Sequence, residues 1–219
     1  MESKTKIIIV DDHSMFREGI KLLIEMEGLG QVIGEAENGQ QLLDMLETHN
    51  PDLVLMDIEM PVMSGVEATQ KAKAIRPELK ILALSMLGGK DNYAAMIKAG
   101  VMGFVLKTSG KKELEKAINT VNGGECYFSN ELMRQIIVNS EKQPIPVISE
   151  NKDIKFTDRE LEILQYLCNG LSINEIADKL FRSIKTIEAN RSTLLEKTNS
   201  KNTINLVLYA LKNKLVNIS

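Results

Sequence analysis

Five short apolar runs set the limits on what this chain can fold into: residues 7–10, 32–36, 53–56, 81–84 and 103–106. Each has strand length rather than helix length. Between and after them, apolar residues recur at helical spacing, as in Phe16, Ile20, Leu23 and Ile24, or Leu42, Leu43 and Leu46. Helices are therefore expected near 16–24, 38–49, 64–76, 90–99 and 111–121. Strand–helix units in series, with strands apolar on both faces, call for a parallel sheet covered by helices on both sides. The expected class is α/β, a doubly wound five-stranded parallel sheet.

That sheet accounts for little more than half of the 219 residues, and the length suits two domains. The pattern changes after Gly123-Gly124. A short helix is expected within 131–139. Residues 143–151 carry Pro144 and Pro146 and read as a linker. From Phe156 on there are short helical stretches and no strand pattern, so the second domain is all-α. The expected boundaries are 1–125, a connecting segment 126–152, and 153–219.

At 43% hydrophobic and 26% charged residues, the composition is that of an ordinary globular protein. No apolar run approaches the roughly 18 residues that cross a bilayer. The first apolar run passes straight into Asp11 and Asp12, unlike a signal peptide. A cytoplasmic protein without membrane contact is expected. Cys126 and Cys168 lack metal-binding spacing and read as free or buried thiols. The net charge of -3 is uneven: residues 153–219 carry 10 Lys and Arg against 8 Asp and Glu, leaving 17 against 22 before them. The mildly basic C-terminal part is compatible with nucleic acid.

The polar residues fall at informative places. Asp11 and Asp12 end the first run, Asp57 the third, Ser85 the fourth and Lys107 the fifth. Sites in open parallel sheets form at the carboxyl ends of the strands, so these side chains converge on one rim. Three carboxylates together repel one another and attract a hard cation. Mg2+ prefers such oxygen ligands. The lysine pairs with an anion and the serine hydroxyl donates to one. The chemistry this suits is a phosphoryl group carried on a carboxylate. A single Asp after a strand is ordinarily a turn or helix cap. Five polar residues at four strand ends are not explained that way.

Residues 4–125 resemble the receiver domains of response regulators, which are flavodoxin-like. The matching residues are Asp11-Asp12, Asp57 followed by Glu59-Met60-Pro61 and Gly65, Ser85, and Lys107 preceded by Phe104. The resemblance implies that Asp57 is the nucleophile phosphorylated by a sensor histidine kinase. It implies Mg2+ held by Asp12, Asp57 and the backbone carbonyl of Glu59, with Asp11 nearby through water. Lys107 and Ser85 would contact the phosphoryl oxygens, and Phe104 would rotate inward as Ser85 moves. Glu59 and Leu87 would set the phosphoryl lifetime. Thr108 departs from the pattern, standing where many receivers have proline.

The C-terminal part opens on a capping box, Thr157-Asp158-Arg159-Glu160, and contains a second, Ser172-Ile173-Asn174-Glu175. The first starts a helix that stops at Asn169-Gly170. The second starts a shorter helix, and a turn over 181–183 leads to a third over 184–198. With Gly170-Leu171-Ser172 and the run from Lys185 to Arg191, residues 153–215 resemble the LuxR-type helix-turn-helix domain. The whole chain then resembles the NarL/FixJ response regulators. The resemblance makes 184–197 the recognition helix, with Lys185, Thr186, Asn190, Arg191 and Lys197 as candidate contacts to double-stranded DNA. It also implies a homodimer on phosphorylation, paired through the outer face of the last helix. Arg182, Asn190 and Thr198 depart from the family's usual apolar residue, His and Leu. Two of these substitutions, Arg182 and Thr198, are expected to loosen the small core.

Two other readings compete. A phosphoryl-transfer or phosphatase enzyme would need a cap domain and a partnered general acid beyond Asp57, and neither is legible. A regulator that binds DNA without phosphorylation ordinarily lacks an acidic residue or the lysine, and this chain keeps them.

Overall fold

The computed structural model describes residues 4–86, 93–128, 154–200 and 202–216. The chain divides into two compact units, Met1–Gly124 and Glu125–Ser219.

In the first unit, β1 (Lys6–Val10), β2 (Gln31–Ala36), β3 (Leu53–Asp57), β4 (Lys80–Ser85) and β5 (Gly103–Leu106) alternate with α1 (Ser14–Met26), α2 (Gly39–Leu46), α3 (Gly65–Ile75), α4 (Tyr93–Ala99) and α5 (Lys111–Asn122). The pairs β1–β2, β1–β3, β3–β4 and β4–β5 are parallel. Every residue of β3 and β5 is buried, which explains their unbroken apolar sequences. Helices α2, α3 and α4 pack side by side, α5 lies on β4 and β5, and α1 contacts β1 and β2. The sheet order is β2-β1-β3-β4-β5-β6, one strand more than the five expected. The sixth, Tyr127–Phe128, is two residues long and carries no apolar run that a sequence pattern can register.

Register decides where the site falls. Val10 pairs with Met56, so the residues that follow them, Asp11 and Asp57, emerge side by side. Gly65 starts α3, and its amide donates to the Ile58 carbonyl. A Cβ there would overlap the carbonyl oxygen of Asp57, so the turn after the strand closes only with glycine. Val62 in the same turn has φ +66°, a left-handed conformation that strains a β-branched residue.

The second unit holds α6 (Asp158–Cys168), α7 (Ile173–Lys179), α8 (Ile184–Lys197) and α9 (Thr203–Lys212). Both expected capping boxes form, at Thr157 with Glu160 and at Ser172 with Glu175. Gly170 takes φ +72° beyond α6. Ile163, Leu164, Ile176, Ile187, Leu194 and Leu206 form a core with almost no exposure. The two departures sit differently with respect to it. Arg182 points to solvent. Thr198 is buried, and its hydroxyl donates to the Leu194 carbonyl at 2.8 Å.

The helix expected within 131–139, the linker at 143–151 and Leu87 lie outside the described residues. Among the described residues no helix is long and apolar enough to cross a membrane. Both cysteines are free thiols, and burial raises the pKa of each, Cys168 to about 12.

Candidate functional site

The carboxyl ends of β1, β3, β4 and β5 bring the expected residues together. Asp11 is fully buried and Asp57 is 5% exposed. The Lys107 ammonium lies between them, 2.7 Å from Asp11 Oδ2 and 2.8 Å from Asp57 Oδ2. The Ile58 amide donates to Asp57 Oδ1 at 2.8 Å. The Asp12 side chain reaches the pocket from a more open position and is 31% exposed.

One ammonium does not balance three carboxylates, and the electrostatics register this. Burial pushes the Asp57 carboxyl up to about 6 from an ordinary 3.8, and the negative charge of Asp11 adds to the rise. Lys107 and the Ile58 amide oppose it without cancelling it. Burial alone would lower the Lys107 ammonium. The two carboxylates beside it more than reverse that and raise it. Ligand atoms of Asp11, Asp12, Asp57 and His13 all lie within 4.8 Å of one another. The donor set is mostly hard oxygen with uncompensated negative charge, and it fits a divalent cation. Glu59 follows in the turn and is exposed.

Ser85 is 1% exposed at the end of β4, and its hydroxyl lies 2.8 Å from that of Tyr93 in α4. Phe104 is completely buried on β5, with the Tyr93 ring edge-on to it at 5.4 Å and 74°. The bond from Lys107 to Thr108 is trans, and the Ser109 amide closes the turn on the Leu106 carbonyl.

Several residues around the site had no sequence signal. Arg17 of α1 is buried and donates to the Asp11 carbonyl at 2.5 Å, with Glu35 and Glu37 also near its guanidinium. His13 Nδ1 lies 2.9 Å from Asp12 Oδ1 and 3.2 Å from Asp11 Oδ1. The Phe16 ring lies under the Lys107 ammonium, 5.0 Å from its centroid. Helical spacing would have placed Arg17 and Phe16 on α1, but not under strand ends distant in sequence.

In the second unit α8 is well solvated. Lys185 and Thr186 are exposed in its first turn, and Asn190 and Arg191 are half-buried. Asn190 donates its amide to the Thr186 carbonyl at 2.8 Å. Lys197 is engaged elsewhere: its ammonium lies 2.7 Å from Glu160 Oε1 and 3.3 Å from the Lys155 carbonyl. Burial would raise Glu160, but Lys197 and the Thr157 amide outweigh it and hold the carboxyl below the usual range. Lys197 therefore braces the capping box of α6. The exposed surface of the helix instead includes Ile184, half exposed, next to Phe181, 93% exposed with φ +51°.

Comparison with known proteins agrees with both units. Residues 7–119 match the model of the response regulator receiver domain. Residues 155–210 match that of the bacterial regulatory proteins of the luxR family. The chain is 32% identical to the transcriptional regulatory protein DegU of Brevibacillus brevis, covering 99% of this chain and 97% of that one. It is 35% identical to the oxygen regulatory protein NreC of Staphylococcus epidermidis, covering 96% and 99%. Among solved structures, the Salmonella typhimurium response regulator RcsB aligns with a TM-score of 0.58 at 26% identity, over 96% of this chain and 99% of that one. A complex of RcsB with DNA aligns with a TM-score of 0.55 at 27% identity, over 95% and 98%. With a receiver in its first half, a LuxR-family helix-turn-helix in its second and relatives matching end to end, the chain belongs to the NarL/FixJ-type response regulators of two-component systems.

Proposed function

We propose that Asp57 receives a phosphoryl group from the phosphohistidine of a sensor kinase, and that this controls how the C-terminal domain binds DNA. The observation that carries the reading is the Lys107 ammonium bridging Asp11 and Asp57 inside a buried, net-negative pocket. A carboxylate oxygen of Asp57 bonds to phosphorus as the phosphorus–nitrogen bond of phosphohistidine breaks and the imidazole leaves. Lys107 then pairs with the phosphoryl oxygens, and Ser85 donates to one of them. Asp12, Asp57 and the Glu59 carbonyl would hold Mg2+, with Asp11 beside them. The cation supplies charge neutralisation around the phosphoryl oxygens. An apolar groove of about 890 Å³ adjoins this rim, lined by Met15, Phe16, Ile20, Leu23 and Met86. The chain acts as a regulator: its only covalent chemistry is acquisition and slow loss of the phosphoryl group.

Lys185, Thr186, Asn190 and Arg191 read the DNA. The exposure of Lys185 and Thr186 in the first turn of α8, with Asn190 and Arg191 half-buried one turn on, supports this, as does the RcsB–DNA complex. Phosphorylation favours a homodimer, since one recognition helix reads too few base pairs for selectivity. The protein works in the cytoplasm, where its thiols stay reduced.

The test is intact-protein mass after incubation with acetyl phosphate and Mg2+. One added phosphoryl group, absent from Asp57→Asn and absent without Mg2+, is expected. No adduct under any condition would overturn the proposal.

A further inference from the structure

The buried face of α1 consists of Arg17, Ile20 and Ile24. The two isoleucines meet the sheet as helical spacing demands. An arginine on that face is not explained by packing. A charge with 8% exposure is costly unless it is hydrogen-bonded and paired, and Arg17 is both. Its Nη1 donates to the Asp11 carbonyl at 2.5 Å, its Nη2 lies 3.4 Å from Glu37 Oε1, and its Nε lies 3.9 Å from Glu35 Oε2. Glu35, in β2, is held in turn by Lys21 at 2.8 Å. The Arg17 amide donates to the His13 carbonyl, which sets the residue one turn into the helix. Long helical side chains lean back toward the N-terminus, here over the acidic turn that precedes α1.

The atom that Arg17 grips has a particular consequence. A trans peptide is planar, so the Asp11 carbonyl and the Asp12 amide move together. Fixing the direction of that carbonyl fixes the plane from which Asp12 departs. The rest of the turn is held at other points. The Asp11 amide donates to the Ala36 carbonyl at 3.1 Å, and the His13 amide to Asp11 Oδ1 at 2.9 Å. The Asp12 side chain is 31% exposed, so packing constrains it less than it does Asp11 or Asp57, and the backbone largely sets its place.

We propose that Arg17 is a positioning residue for the divalent-cation site: by clamping the Asp11–Asp12 peptide against the end of β2, it presets Asp12 and raises the affinity for Mg2+. The inference rests on the reading of Asp12 and Asp57 as Mg2+ ligands beside a phosphoacceptor. Its sign separates it from simple electrostatics. The guanidinium is positive and by charge alone repels a cation, so its removal would tighten Mg2+ binding. A clamp predicts the reverse, a loss of about tenfold, as for groups that orient metal ligands.

The experiment titrates the full chain with Mg2+ by isothermal calorimetry, without phosphodonor. Intact mass then follows adduct formation from acetyl phosphate over a series of Mg2+ concentrations. The variants are Arg17→Met, Arg17→Lys and, as control, Lys21→Met, which loosens Glu35 without touching Asp11. Arg17→Met is expected to raise the Kd for Mg2+ about tenfold. The Mg2+ concentration for half-maximal adduct formation should rise by the same factor, and the rate at saturating Mg2+ should stay within about twofold of wild type. Arg17→Lys keeps the charge but lacks the planar fork, and should fall between. Lys21→Met should bind Mg2+ as the wild type does. Circular dichroism confirms that each variant is folded, and if Arg17→Met is not, Arg17→Lys decides. Unchanged or tighter Mg2+ binding in the folded Arg17 variant, or an equal loss in Lys21→Met, would overturn the proposal. A wild type that neither binds Mg2+ nor forms an adduct would sink the phosphoacceptor reading instead.

Discussion

Replacing Asp57 by asparagine removes a charge that the folded receiver holds at a cost. Burial lifts the carboxyl to about 6 from 3.8, roughly two pH units, and each unit is worth about 1.4 kcal/mol. The folded state therefore binds this proton more tightly than the unfolded chain does. Below pH 4 the group is protonated in both states and nothing is lost. As pH rises from 4 to 6 the unfolded chain ionises first, and stability falls by about 3 kcal/mol in total. Above pH 6 the whole penalty is present. Asparagine fills the same space without that penalty, and Lys107 keeps its bond to Asp11. In EDTA at pH 7.5, Asp57→Asn is expected to be more stable by up to about 3 kcal/mol, with the gap closing toward pH 4. Urea unfolding followed by far-ultraviolet circular dichroism measures this, the receiver transition being the one that Mg2+ shifts. Saturating Mg2+ should narrow the gap, because only the wild type gains fully from the cation. An Asp57→Asn protein no more stable than wild type at pH 7.5, or a gap that is flat with pH, would refute the reasoning.

Lys107→Ala leaves two buried carboxylates without their cation, and should cost about 3–5 kcal/mol in the same unfolding assay. Gly65→Ala forces a Cβ onto the Asp57 carbonyl and should destabilise by about 1–3 kcal/mol while impairing adduct formation in the mass assay. Val62→Asn should raise the melting temperature, relieving about 1 kcal/mol of left-handed strain in an exposed turn. Lys185→Ala and Lys197→Ala should behave differently. The first should weaken DNA binding and reduce the salt dependence by about one unit of slope. The second should lower stability by about 1–3 kcal/mol, because it strips Glu160 of its partner.

Much of this protein is legible in its sequence because local rules govern it. Strands buried on both faces must be apolar throughout, so 53–56 and 103–106 announce themselves. The capping boxes at Thr157 and Ser172 work over three residues, a distance that sequence spacing fixes. Topology then places Asp11, Asp57, Ser85 and Lys107 at strand ends on one rim, and the structure brings them there. At two positions the structure shows partners that the sequence reading did not assign. Thr198 is buried in the core and donates its hydroxyl to the preceding turn of α8. Lys197, which sequence reading assigned to DNA, is held by Glu160, 37 residues earlier.

What the sequence determined alone was the parallel sheet, the helical second unit and the identity of the residues on the acidic rim, since periodicity and strand-end position are properties of short segments. Only the tertiary structure decided that Lys107 bridges two carboxylates, that Arg17 holds the Asp11 carbonyl and that Tyr93 shares the hydroxyl of Ser85. Those contacts depend on register and on how helices settle against the sheet, which no local spacing encodes.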